Sequence, residues 1–194
     1  LLGWNPGDNR EIMSMDELIE SFSLERCSKS GAHFDFEKVK WFNHQYLQQM
    51  TAEELFPRFC ELLQQQGLNI DEGTSFPVFE RSNPVFSKDY VLTVIDLLKP
   101  RATFIPDLWE QGTYFFKRPD TYAEKVVQKY WKEGTGQVLN AYADLLESYE
   151  PFTMEALETM TNQWIADHAY KSGHVYNALR LTLVGDAKGP RLFD

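Results

Sequence analysis

MEALETMTNQWIADHAYKSGHVYNALRLTLVGDAKGPRLF, residues 154–193, decides the fold class. Thr153 stands where an N-cap belongs, and Leu157, Met160, Trp164 and Ile165 then recur at helical spacing as one core-facing stripe. A second helical pattern begins near His174 and runs to about Val184, after which two glycine turns, Val184-Gly185-Asp186 and Lys188-Gly189-Pro190, stop it. Between Lys171 and Phe193 four basic residues (Lys171, Arg180, Lys188, Arg191) face one acid, Asp186, in a chain of net charge -10. A positive island on an acidic body suits an anionic partner, and glycine turns expose main-chain donors and acceptors to it. The plainer reading is a closing amphipathic helix with a fraying tail, so the rest of the chain must decide.

Working outward, the same helical grammar recurs. Gln137 to Tyr149 turns Leu139, Tyr142, Leu145 and Leu146 inward, and YAEKVVQKYWKEG, after the Lys117-Arg118-Pro119-Asp120 turn, puts Lys125, Lys129 and Lys132 on one stripe. Such a stripe is either a solvated face or a set of phosphate contacts. Pro106 fits the first turn of a helix through Leu108 and Trp109 that Gly112 ends. Before it, the apolar helix DYVLTVIDLL runs into Lys99-Pro100-Arg101, where the proline forces a corner. Arg101 there is either a surface arginine near a helix C-terminus or a guanidinium fixed for recognition. Ser14 with Glu17 and Thr51 with Glu54 form capping boxes. The first opens a face of Leu18, Ile19 and Phe22, and the second a helix carrying Leu55, Phe59, Leu62 and Leu63 that stops at Gly67. Ser23 can restart a short helix through Leu24 and Cys27, and Asp35 caps FEKVKWFN, with Phe36, Val39 and Phe42 on one face. Residues 68–86, with Gly73, Pro77 and Pro84, read as an irregular connection. No segment alternates long enough for a sheet and no heptad persists. The expected class is therefore all-α, an orthogonal helical bundle or α-helix cage.

Composition narrows the function. The 194 residues can bury a sizeable core, and aromatics reach 14%, which makes for wide helix contacts. Cys27 and Cys60 lack metal-ligand spacing, so reduced thiols in a cytoplasmic protein are expected, and His168 reads as a packing residue because no second ligand accompanies it. Without an apolar run of about 18 residues or a basic-then-apolar leader, neither a membrane span nor secretion is indicated. The Leu1-Leu2 start without Met reads as a cut through a longer protein. Net acidity normally disfavours nucleic acid, yet Lys117 to Lys132 holds five bases against two acids, so RNA can be gripped at local points. Ser28-Lys29-Ser30 imitates the end of a KMSKS loop but lacks its preceding residues, and no HIGH, GxGxxG or Walker pattern occurs.

The order GWNPGD, a capped helix, SGAHFDFEKVKWFNHQYL, a long helical region and finally GHVYNALRLTLVGDAKGPRLFD resembles the C-terminal half of bacterial glutamyl-tRNA synthetases, and the likeness covers essentially the whole chain. The resemblance implies residues 1–50 as the end of a stem-contact region, 51–116 as a first anticodon-binding helical subdomain and 117–194 as a second. It implies a monomer that binds the glutamate tRNA, not DNA or membrane, with no cofactor in this piece. The ATP, Mg and glutamate chemistry would belong to an upstream catalytic domain. Carried over residue by residue, Arg101 matches an arginine that reads the third anticodon base, and Arg180 an arginine at the anticodon loop. Pro190 and Leu192 match positions whose main chain meets an anticodon base. Lys99, Lys125, Lys129, Lys132 and Lys188 are candidate RNA-backbone contacts. Two departures stand out: Gly189 occupies a position where some relatives have threonine, and the chain stops at Asp194 before the family's closing helix. Two competing readings remain open at this point, a helical protein-interaction module without RNA, and a synthetase that also charges the glutamine tRNA.

Overall fold

The computed structural model describes residues 3–29, 31, 33–71, 73 and 84–193. Leu1, Leu2, Ser30, Ala32, Pro77 and Asp194, which the sequence reading used, lie outside the described residues. In chain order the elements are α1 (Met15–Ser21), α2 (Phe36–Gln49), α3 (Ala52–Gln65), β1 (Asn69–Asp71), β2 (Val85–Ser87), α4 (Lys88–Leu98), α5 (Ile105–Gly112), α6 (Glu124–Tyr130), α7 (Thr135–Glu147), α8 (Met154–Asp167) and α9 (Ser172–Val184). Short 3-10 turns occupy Leu24–Arg26, Lys99–Arg101 and Thr113–Phe115. The class is all-α, as the periodicity predicts. The chain forms two compact units, Leu1–Glu110 and Gln111–Asp194.

In the first unit α3 packs on α4. Leu55, Phe59 and Leu63 from α3 meet a core that also holds Val91, Ile95 and Leu98 from α4, together with Phe86 and Leu108. The Thr51–Glu54 capping box opens α3 as expected. Pro57 sits inside α3 on the exposed side, where its missing N–H costs the helix a bond that the buried face offsets. The region between α3 and α4 contains a finding the sequence hid: β1 and β2 pair in parallel, Ile70 opposite Phe86. Three-residue strands are too short to alternate visibly. Ser87 ends β2 and at the same time caps α4, accepting from the Tyr90 N–H at 3.2 Å.

One expectation fails here and another is met in a tighter form. Ser14 and Glu17 do start α1, but α1 buries no residue, and Ile19 is 69% exposed. The short helix expected after Ser23 is present as a single 3-10 turn, Leu24–Arg26, between Ser23 and Cys27. A cap sets where a helix starts, and only a packing partner sets what it buries.

In the second unit Tyr142, Trp164, Ile165 and Val175 form the core of α7, α8 and α9. Thr161, unremarkable in sequence, is fully buried: its hydroxyl donates to the Leu157 carbonyl at 2.6 Å and meets the Tyr142 hydroxyl at 2.7 Å. His168 packs as expected, its Nδ1 2.9 Å from the Trp164 carbonyl and its ring stacked on Tyr170. The structure departs from the helical periodicity at one point. α6 ends at Tyr130, Trp131 takes an extended backbone, and the Lys132 N–H donates to the Thr135 hydroxyl. Lys132 therefore leaves the stripe that Lys125 and Lys129 share.

Candidate nucleic-acid interface

The first candidate element is the corner after α4. Pro100 prevents α4 from continuing regularly, and Lys99–Arg101 tightens into a 3-10 turn from which the exposed Arg101 projects. Four side chains hold that corner. From α2, Asn43 Nδ2 donates to the Thr103 carbonyl, His44 Nδ1 lies 2.8 Å from the Ala102 carbonyl and Gln48 Nε2 donates to the Lys99 carbonyl at 2.6 Å. The Lys99 ammonium donates back to the Met50 carbonyl at 2.9 Å. A carbonyl partner requires the Nδ1–H form of His44. Asp107 completes the turn by accepting from the Thr103 and Phe104 N–H groups at 2.7 and 2.9 Å. Lys99, expected as an RNA-backbone contact, is thus partly buried and bonded to protein, while Arg101 stays at the surface.

The second element is the tail after α9, in the other unit. Gly185 ends α9 with φ +82, and a Cβ there would stand 2.7 Å from the Thr121 carbonyl oxygen. Only glycine fits, and its own carbonyl accepts from the Ala123 N–H at 2.8 Å. The loop that follows Lys117 and Arg118 is thereby pinned to the end of α9. The chain then turns back along α9. Arg180 Nη1 donates to the Pro190 carbonyl at 2.6 Å, and the Phe193 ring meets Tyr176 edge-on at 6.0 Å. Gly189, at φ +149, lets the main chain lie against Arg180: a Cβ there would be 3.1 Å from Nη1 and 3.5 Å from the Tyr114 hydroxyl.

Around this tail, Pro190 is buried, Leu192 partly buried and Lys188 exposed. Arg191 pairs with Glu158 at 3.5 Å. Tyr176 donates to the Asn162 side-chain oxygen at 2.7 Å, and burial, followed by the charges of Glu158 and Tyr142, pushes its phenol up from the usual 10.0. Lys125 is exposed on α6, the Lys129 ammonium lies 5.0 Å from the Tyr130 ring centre, and Lys132 donates to the Gln128 carbonyl.

The structure therefore brings Arg180, Gly189, Pro190 and Leu192 together in the second unit and places Arg101 in the first. Sequence reasoning missed Asn43, His44 and Gln48 as supports. None of them carries a local signal, because each acts on a partner far along the chain. Among the described residues no group of acids, histidines and cysteines could hold a metal ion, and no helix is long and apolar enough to cross a membrane. What the two elements offer is guanidinium, ammonium and main-chain groups on stapled turns, a chemistry suited to unpaired RNA bases and phosphates.

A family model described as an anticodon binding domain matches residues 37–194. The chain is 44% identical over 194 residues to a glutamate–tRNA ligase of Phocaeicola vulgatus, covering 100% of this chain and 35% of that protein. It is 45% identical over 195 residues to one from Porphyromonas gingivalis, again 100% and 35%. Among solved structures, a glutamate tRNA ligase from Elizabethkingia meningosepticum in complex with its amino acid superposes with a TM-score of 0.84 at 34% identity, over 100% of this chain and 35% of that one. Glutamate-tRNA synthetase from Elizabethkingia anophelis gives 0.80 at 34% identity, over 100% and 34%. The chain thus spans about a third of the length of these relatives.

Proposed function

The chain belongs to the anticodon binding domain family, and from that membership we propose that it is the tRNA-recognising part of a glutamate–tRNA ligase. The complete enzyme would activate glutamate with ATP and Mg and pass it to the glutamate tRNA, in the cytoplasm and as a monomer. This part supplies recognition. Residues 1–50 close a stem-contact region, and 51–116 and 117–194 are the two anticodon-binding subdomains. Arg101 reads the third anticodon base, the Arg180–Leu192 turn meets a second base, and Lys125, Lys129 and Lys188 lie along phosphates. Lys99 and Lys132, bonded to carbonyls, serve the fold first.

The observation that carries this reading is the end-to-end likeness to glutamate–tRNA ligases. The corner geometry supports it. An arginine that must choose between bases gains from a fixed base of attachment, and α2 provides one through Asn43, His44 and Gln48. The discriminating experiment measures binding of the complete ligase to glutamate tRNAs that differ only at the third anticodon base. The wild type should prefer the cognate base, and Arg101→Gln should erode that preference by about 1–3 kcal/mol while weakening cognate binding less. Equal losses on both tRNAs would remove Arg101 from the readout, and a wild type without preference would remove the recognition reading itself.

A further inference from the structure

Gly185 does more than end α9. A Cβ there would stand 3.2 Å from the Pro119 Cβ as well as 2.7 Å from the Thr121 carbonyl oxygen, so the loop ahead of α6 is seated on this glycine. The residue before that proline is Arg118. A proline confines its predecessor to extended backbone, and on the other side the Lys117 N–H donates to the Thr113 carbonyl at 2.8 Å. Arg118 is thus held from both directions while its side chain stays exposed.

Two more bases reach the same junction from other segments. Lys125 follows two residues after Ala123, whose N–H donates to the Gly185 carbonyl at 2.8 Å, and Lys188 follows three residues after Gly185 itself. Three residues of chain span at most about 11 Å, so both stay near the contact. Each is exposed, and among the described residues the side chains of Arg118, Lys125 and Lys188 have no ion pair or hydrogen bond. Asp120, Glu124 and Asp186 share the junction, and the Asp186 carboxylate accepts from the Ala187 N–H at 2.5 Å. With acids interspersed there is no broad positive field, and these cations act by direct contact at short range. A guanidinium suits that best, because its planar fork matches two oxygens of a phosphate.

We propose that Arg118 is a phosphate-binding residue: held on the Gly185 junction, it takes one phosphodiester of the tRNA backbone as a bidentate pair, with Lys125 and Lys188 on either side. The contact adds affinity and carries no base information. It deepens the recognition reading above and rests on that reading for the identity of the ligand.

The test measures binding of the complete ligase to the glutamate tRNA over a range of potassium chloride concentrations. Arg118→Gln should lower the slope of log affinity against log salt by about 0.7–0.9, the loss of one phosphate contact. It should weaken binding by the same factor for the cognate tRNA and for a variant at the third anticodon base. Arg118→Lys, which keeps the charge but not the fork, should retain the slope and recover part of the affinity. Lys171, exposed at the other end of α9, is the control. The 13 residues of α9 put it about 20 Å from Gly185, and Lys171→Gln should leave the slope unchanged. An unchanged slope in Arg118→Gln would overturn the proposal, and so would an equal fall in Lys171→Gln, which would mean a diffuse field. A loss confined to one of the two tRNAs would make Arg118 a base contact and overturn it as well. These outcomes leave the recognition reading standing, whereas a wild-type ligase that does not bind the tRNA would sink both.

Discussion

Helices α1 and α3 start with the same device and end with opposite fates. Ser14 and Thr51 each accept from the N–H three residues on, at 3.3 and 3.2 Å, and in each case the glutamate there accepts the cap's own N–H at 2.8 Å. α3 nonetheless buries Ala52, Leu55, Phe56, Phe59 and Leu63, whereas α1 buries nothing. The neighbouring apolar side chains share that fate: Met15, Phe22, Leu24, Phe34 and Phe36 are exposed as well. The difference lies in the partner. α3 finds α4, and the burial of several large side chains at about 1.5–3 kcal/mol each outweighs even an internal proline at about 3 kcal/mol. Capping alone decides where a helix begins and contributes far less to keeping the fold together.

The comparison can be broken most forcefully by truncation. Phe59→Ala should destabilise the chain by about 3–5 kcal/mol in urea unfolding, because Phe59 is wholly buried, while Phe36→Ala should stay within about 0.5 kcal/mol. Comparable losses from both would mean that the α1–α2 side has a core of its own. The caps give the next contrast. Thr51→Ala should cost about 1 kcal/mol of global stability, whereas Ser14→Ala should leave the unfolding midpoint in place and only quicken amide exchange within residues 15–21.

Two titrations sharpen the same contrast at smaller amplitude. Burial pushes the phenol of Tyr90, on α4, up from 10.0 to about 12. The folded state therefore holds this proton after the unfolded state has lost it, and stability falls as pH rises from about 10 towards 12. Tyr90→Phe should flatten that alkaline decline in unfolding curves taken across the window. On α1, hydrogen bonds from Ser14 hold the Glu17 carboxyl below the usual 4.5. Its contribution is present above that value and is lost as pH falls below it, so acid should loosen α1 while α3 and α4 remain protected. Glu17→Gln should abolish this acid loosening in the exchange of residues 15–21, whereas Ser14→Ala, which keeps the N–H of residue 14, should only lessen it.

Much of the candidate site was legible in the sequence, and the limit follows from distance along the chain. The Lys99-Pro100-Arg101 corner is local chemistry, and it appears as a turn bearing an exposed arginine. The stop at Gly185 is likewise local, since a positive φ after a helix selects glycine. The engagement of Lys99 with Met50 was not legible, nor was the hold of Asn43 on Thr103, because those partners are 49 and 60 residues apart. The lysine stripe of α6 failed for a related reason. Helical spacing predicts a shared face only while the helix lasts, and α6 ends at Tyr130, before Lys132, whose N–H donates to the Thr135 hydroxyl instead.

The sequence by itself determined the helical class, the caps, the places where the chain bends and the likeness to glutamyl-tRNA synthetases. Those are matters of residue type, short spacing and order. Only the tertiary structure decided which apolar faces are buried, that β1 meets β2, that α2 braces the arginine corner and that Arg180 is bonded to the carbonyl of Pro190. A side chain's hydrogen bonds and burial depend on what lies within a few ångströms in space, and that neighbourhood is assembled from segments whose sequences carry no mark of one another.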